Sequence, residues 1–578
     1  VVRIVDTASL DPPLAAVYYL DHFLQVLEAV KQRYGCLLDP AEHAHILRLM
    51  TLSQPARMLY ARLVNRKGPC FRLDRLAYPE IGAMEAALTE LAEKGLLMAC
   101  DTGLEPDLRP RLYGCFTLAE LHASLRDHGA RRSWRKDELL DWLGTWPGCG
   151  AWLALLLRRH PVVRLRADDP WPFFRFLFFG ELRDNLADFV TRELGYVVTE
   201  SVAPEKLGRR FRTRPEAVDA YRMAVLYARF RSLREGQPAM DTLRWWQAQG
   251  VDRAGLAAGT ETVDRLVDRL GRRLEREGET EAALALYATS PVAPARERRA
   301  RLLLRKGHRL DALALLEAMA ATPCHAEEGY AARQLLGRLT KTARRSEARN
   351  YQRLGSQILL EDAAGGVEAA TLAHYARAGW HGVHSENWLW NAAFGLLLWD
   401  VIYDPDIGVF HSPLQLAPAD LHDPGFYDRR RDAIENRLRL LDDTEAAFAL
   451  IARHHADKDG LANPFVPWHG DLLPLIRRVI DHVPPRGLAA VLRRFAQDIK
   501  RRSRGFPDLF LWTATAYRFV EVKSENDQLS AAQYQWLRFF DEVGICVSLD
   551  NIRRGSGVRL SDPHPSAGNP GSAHPASP

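Results

Sequence analysis

Apolar residues recur at helical spacing through most of this chain and change to strand-like runs only near its end. Residues 14–34 put Tyr18, Phe23, Leu24 and Leu27 on one side of a helix, and further helical runs cover 42–50 and 54–65. Phe71-Arg72-Leu73 predicts a short strand, 81–94 a helix and 96–98 a closing strand. Thr117 is placed to cap a helix, Gly129 breaks it, and Leu139, Leu140, Trp142 and Leu143 mark a second one. The block from Trp171 to Phe179 is so dense in apolar rings that burial in a core is predicted rather than base stacking. From Glu216 to about Leu360 the pattern is helical throughout, and 281–287 and 311–316 repeat the same alternation of small and large apolar residues. A strongly apolar helix follows His384-Ser385-Glu386-Asn387, with more helical runs at 429–454 and 486–500. Near the end, Leu509–Trp512 and 517–522 are strand formers joined by a turn at 513–516, a predicted β-hairpin.

Length changes this picture first: 578 residues exceed one compact core, so several domains are expected. The net charge of +5 is small for the size and demands no nucleic-acid partner, but Arg outnumbers Lys and the arginines cluster. A GC-rich genome gives the same bias. The 7 cysteines are scattered without a Cys-x-x-Cys, which argues against zinc or a disulfide framework and for a reducing compartment. No apolar run is long enough to cross a bilayer, since the best one stops at Asp400. The start of the chain lacks the order of a signal peptide. The tail 561–578, rich in Pro, Ser, Gly and Ala, is expected to be disordered.

The chemistry gathers at the hairpin. Side chains alternate along a strand, so Glu521 and Lys523 share one face while Val520 and Val522 take the other. Asp508, after Pro507, opens the first strand where the hairpin brings it toward Glu521. Two carboxylates and an ammonium at the ends of paired strands suit a metal-dependent phosphodiesterase, with hard oxygens for Mg²⁺ or Mn²⁺ and a lysine for water or phosphate charge. An exposed Glu-x-Lys pair is the bland alternative, but Pro-Asp before it makes the pattern more specific. The pattern resembles the PD-(D/E)xK nuclease core. Asn526-Asp527-Gln528-Leu529-Ser530, then Gln533 and Trp536-Leu537, is similar to the VRR-type nuclease domain of the Fanconi-associated nuclease family. Gln533 shares a helix face with Leu529, Trp536, Leu537 and Phe540, toward the sheet, or is simply a surface amide. His384-Ser385-Glu386-Asn387, followed by Gly395 to Asp400, resembles the same family, as does the run from Tyr60 to Lys67. Glu386 is expected on one face with Leu389, Trp390 and Ala393, or in the first turn behind Ser385 as N-cap.

The resemblance implies a structure-specific DNA nuclease cutting near 5′ flaps and branched junctions, with 5′-to-3′ exonuclease activity of the phosphodiesterase I type, in interstrand-crosslink repair. It implies Glu386, Asp508 and Glu521 as ligands of Mg²⁺ or Mn²⁺, aided by the Val522 carbonyl, with Lys523 completing the catalytic set. A junction resolvase acting as a dimer and a non-catalytic scaffold are the alternatives. The fold class expected is multidomain and mainly α, with a C-terminal α/β domain. The parts are an N-terminal helical, winged-helix-like unit (1–110) with a basic edge at Arg62, Arg66 and Lys67, a SAP-like DNA-binding region (111–215), and a TPR-like α-solenoid (216–365). A nuclease domain with a helical insertion (366–560) and the tail (561–578) complete it. Arg131, Arg132, Arg135 and Lys136, Arg209, Arg210, Arg212 and Arg214, and Arg501, Arg502 and Arg504 are the phosphate-contact candidates, joined by Gln533. Arg296, Arg298, Arg299 and Arg301 read as a solvated helix face. The partner expected is branched or 5′-flap DNA, bound by one copy or a homodimer, with no membrane and no ubiquitin-dependent partner. Localisation would be cytoplasmic and nucleoid-associated in a bacterium, or nuclear in a eukaryote.

Overall fold

The computed structural model describes residues 18–554 apart from 67, 106–107, 183–197, 234–235, 341–346 and 361–365. Residues 14–17, Lys67 and the tail 561–578, all part of the expectations above, lie outside the described residues.

Helices Tyr18–Tyr34, Pro40–Thr51 and Gln54–Val64 open the fold. The second starts sharply because Asp39 and Glu42 form a reciprocal capping box ahead of it, with Pro40 in the first turn. Strand β1 (Cys70–Arg72), helix Met84–Glu93 and strand β2 (Leu97–Ala99) follow in the expected order. A third strand, β3 (Val162–Leu165), lies between them and is antiparallel to both. The aromatic helix Trp171–Phe179 is buried against the first helices, as its composition predicts. The basic edge does not form as expected: Arg62 is 2.6 Å from Glu80 and stacks over Tyr19, and Arg66 donates to the Tyr78 hydroxyl.

Thr117 caps Leu118–Ser124 through a capping box with Glu120, and this helix packs with Lys136–Thr145 through Leu121, Leu125, Leu139 and Leu143. The middle of the chain is a run of helices each packed on the next, among them Thr260–Arg276, Thr280–Ala288, Ala295–Lys306, Arg309–Ala321 and Ala326–Leu339. Ion pairs staple it. Arg296 holds Glu328 at 2.7 Å and Arg298 holds Glu275 at 2.8 Å, both on neighbouring helices, while Arg301 pairs with Glu297 of its own helix at 2.7 Å. The helical stretch ends sooner than 365, because Ser356–Leu360 is a strand of the C-terminal sheet.

That sheet has five strands: β4 (Ser356–Leu360), β5 (His381–His384), β6 (Leu509–Trp512), β7 (Tyr517–Lys523) and β8 (Val547–Arg554), in spatial order β4-β8-β7-β6-β5. The predicted hairpin is β6 and β7, paired Leu509 with Val520 and closed by a Thr513 N–H to Ala516 C=O bond of 2.8 Å. Helix Ala531–Glu542 then crosses over so that β8 runs parallel to β7. Helix Val367–Arg377 covers one face, over Leu509, Leu511, Val520 and Val522. On the other face Phe510 and Phe519 meet Trp390, Phe506, Trp536 and Phe540, a cluster continuous with the helices inserted between β5 and β6. Trp390 and Phe506 stack at 5.5 Å between centroids, and Phe506 and Trp536 at 4.3 Å. Glu521 follows Phe519 along this second face, so the polar residues stand where the aromatic row ends.

Candidate active site

The site is built where β5, β6 and β7 lie side by side. Glu521 is fully buried on the central strand, and neither of its carboxylate oxygens has a hydrogen-bond partner. The Lys523 ammonium lies 2.7 Å from Oε1, an ion pair without hydrogen-bonding geometry. Burial, then the charge of Asp508, pushes the Glu521 carboxyl up to about 8 against the pull of Lys523. Asp508 stands opposite on β6's leading edge, and its Oδ2 accepts a 2.8 Å bond from the Val522 N–H. Burial raises its pKa as well, with smaller repulsion from Glu368 and Glu386. Glu386 thus acts electrostatically on both Asp508 and Glu521.

Glu386 arrives by a different route than the sequence implied. It sits in an exposed turn at φ 26°, before the helix rather than on it, because Trp388–Leu397 begins two residues later. It shares no apolar face with Leu389 and Trp390. Ser385 does not cap the helix either: it is buried, and its N–H and that of Glu386 both donate to the Asp508 carbonyl at 2.8 and 2.9 Å. The Asn387 amide donates to Glu386 Oε1 at 2.8 Å. Glu368, in the first turn of Val367–Arg377, was not singled out from the sequence. Its only signal there is an acid at the start of an amphipathic helix, which surface helices carry routinely.

Among the described residues no group of three His, Cys, Asp or Glu side chains is placed so that it could hold a metal ion. Asp508 is turned to Val522 and Glu386 to Asn387. The residues still fit a divalent cation. A buried carboxylate with neither oxygen hydrogen-bonded, beside a second raised acid and balanced by the single charge of Lys523, would gain from a further cation, and its donors are hard oxygens.

The basic candidates divide. Arg131, Arg132 and Arg135 are exposed just ahead of helix Lys136–Thr145, with Arg131 over the Trp134 ring, while Lys136 is spent on the Phe116 carbonyl. The 209–214 loop is largely structural, contrary to its reading as a loop of phosphate contacts. Phe211 is buried against Phe176, Arg210 donates to the Phe179 carbonyl, and Arg214 pairs with Asp39 and Glu42 at 2.8 and 2.7 Å. Arg209 donates to the Cys36 sulfur, and Arg212 is exposed. Near the site Arg502 is buried on Gln535, Arg501 leans on Asp498 and Arg504 is exposed. Gln533 is neither packed on the sheet nor free: it completes the capping box with Ser530.

A five-stranded sheet with two acids and a lysine at the ends of paired strands suits a metal-dependent nuclease, and comparison with known proteins identifies a nuclease family. The VRR-NUC domain family matches residues 443–550, and the family described as FAN1, HTH domain matches residues 17–98. A Fanconi-associated nuclease 1 homolog from Pseudomonas aeruginosa is 32% identical over 565 residues, 95% of this chain and 97% of that one. The Arabidopsis thaliana homolog is 26% identical over 97% of this chain and 69% of its own length. The human protein is 34% identical over 195 residues, 32% of this chain and 19% of its own. A crystal structure of paFAN1 bound to DNA with a 2-nucleotide 5′ flap and a gap superposes with a TM-score of 0.80 at 30% identity, over 94% of this chain and 99% of that one. The chain belongs to the Fanconi-associated nuclease family. It is thus a nuclease, which sets aside the non-catalytic scaffold, and its family implies dependence on a divalent metal.

Proposed function

We propose that this nuclease hydrolyses phosphodiester bonds near 5′ flaps and related branched DNA, with 5′-to-3′ trimming and a place in interstrand-crosslink repair. The observation that carries the site is buried Glu521, its two oxygens without hydrogen-bond partners, flanked by Lys523 and Asp508. In this reading Asp508, Glu521, Glu386 and the Val522 carbonyl hold Mg²⁺ or Mn²⁺. Bound there, the ion supplies Lewis-acid polarisation and neutralises charge on the attacked phosphate. Lys523, anchored by Glu521, donates to the attacking water or to a phosphate oxygen as negative charge builds. Water adds to phosphorus, the bond to the 3′ oxygen breaks and that oxygen takes up a proton, leaving a 5′-phosphate and a 3′-hydroxyl.

The SAP-like pair, with Arg131, Arg132 and Arg135, and the TPR-like helices position the duplex arms through phosphate contacts, with Arg212 and Arg504 as further contacts. Among the described residues no helix is long and apolar enough to cross a membrane, and the reading places the protein with DNA, at a nucleoid in a bacterium. End-labelled 5′-flap, blunt and four-way-junction DNA, assayed with Mn²⁺, tests it. Asp508→Ala should lower flap cleavage by about 10³-fold or more while leaving flap affinity in metal-free buffer within about threefold. Equal cleavage by wild type and variant rejects the site, and preferential cutting of the four-way junction rejects the substrate.

A further inference from the structure

One side chain ties together both segments that carry the site's acids. The Asn387 Oδ1 accepts from the Gly505 N–H at 2.8 Å and from the Phe506 N–H at 3.2 Å. Its Nδ2 donates to Glu386 Oε1 at 2.8 Å. Gly505 and Phe506 lead through Pro507 straight into Asp508, and they lie 118 and 119 positions from Asn387 in sequence. The amide's orientation is fixed by chemistry: two backbone N–H groups demand the oxygen, so the NH₂ must face the carboxylate. Asn is also a favoured N-cap, and Asn387 occupies the N-cap position of Trp388–Leu397, yet it makes no capping bond. Its hydrogen-bonding capacity goes to the acids' surroundings instead of to its own helix.

We propose that Asn387 is a positioning residue for metal binding: it fixes the Glu386 carboxylate relative to Asp508, so that the two acids meet a divalent cation already aligned. The inference rests on the site reading above. Groups that orient a ligand without touching the metal change metal affinity by about 10- to 100-fold when removed. Glu386, at φ 26° in an exposed turn, has little else in the structure to hold its side chain.

The test is a cycle of wild type, Glu386→Ala, Asn387→Ala and the double variant, with Mn²⁺ affinity of the full chain measured by calorimetry without DNA. Thermal unfolding is followed beside it. Asn387→Ala should weaken Mn²⁺ binding by about tenfold or more. The same change made on Glu386→Ala should weaken it no further, because its effect passes through that carboxylate. Equal losses in both backgrounds, or no loss in either, overturn the proposal. Should Asn387→Ala unfold, Asn387→Asp keeps the acceptor for Gly505 and Phe506 and puts a negative oxygen in place of the donor that faces Glu386. It should fold normally and still depart from wild type in Mn²⁺ affinity, whereas Mn²⁺ binding like wild type overturns the proposal. Wild type that binds no Mn²⁺ at all fails the site reading itself, a result separable from additivity within the cycle.

Discussion

Two backbone positions at the site are strained or crowded, and each makes a prediction. Gly505 sits at φ 88°, and a Cβ there would lie 3.0 Å from the Ala532 Cβ and 3.1 Å from the Gln533 nitrogen. Gly505→Ala should therefore cost about 1–3 kcal/mol and shift the loop that leads into Asp508, read by urea unfolding and flap cleavage together. Unchanged stability would show that the loop relaxes freely. At Glu386 the positive φ is borne by a residue with a side chain, so Glu386→Gly should be about 1 kcal/mol more stable than Glu386→Ala, with both inactive. Equal melting of the two would remove strain from the account. At this scale Asp508, Glu521 and Lys523 were legible, because a strand's two-residue period decides which side chains share a face. Glu386 was legible as a residue but not in its setting: a turn with φ above zero looks, in sequence, like the first turn of the helix behind it.

Among elements, the ones with strong local signals were readable. Thr117 begins its helix through a capping box, and β6 and β7 close over a short turn. Strand β3 was not, since Val162–Leu165 is short and its partners lie far away in sequence. Likewise β4 reads as the end of the helical run, because nothing local announces a pairing with β8. Arg210 and Arg214 looked free for the same reason: their partners Phe179, Asp39 and Glu42 are remote. The aromatic layer under the sheet is where elements are joined most tightly. Trp390 is 1% exposed and touches Phe506, Phe519 and Phe540, so Trp390→Ala should cost about 3–5 kcal/mol by urea unfolding. A loss below about 1 kcal/mol would mean that the insertion and the sheet are not one core.

For the molecule as a whole, buried histidines set the acid side of stability. His45 packs with the Tyr60 hydroxyl and Asp169, and burial, with Arg48 and Arg166 nearby and Asp168 opposing them, holds it down to about 4. His411 is held near the same value by burial and by Arg210 and Arg33. The unfolded chain binds protons on these rings near pH 6.5 and the folded one does not, so their contribution is complete above that pH. It is lost as the pH falls toward 4, with a slope of up to about 1.4 kcal/mol per unit for each ring. Glu521, raised to about 8, takes up its proton first in the folded state and offsets one ring across this range, and Asp169, raised by burial, does so at the acid end. Thermal unfolding between pH 7 and 5 should show falling stability, and His45→Gln should flatten the fall. An unaltered slope would place the titrating group elsewhere.

Ser385 and Asp508 share hydrogen bonds across 123 positions of chain, with a whole helical module between them. Closing so large a loop is entropically slow and yields no contact until the module has condensed, so this joint forms late in folding. On the proposed site, cutting competence would then report on completed assembly, since a half-folded copy leaves Glu386 and Asp508 on unconnected segments.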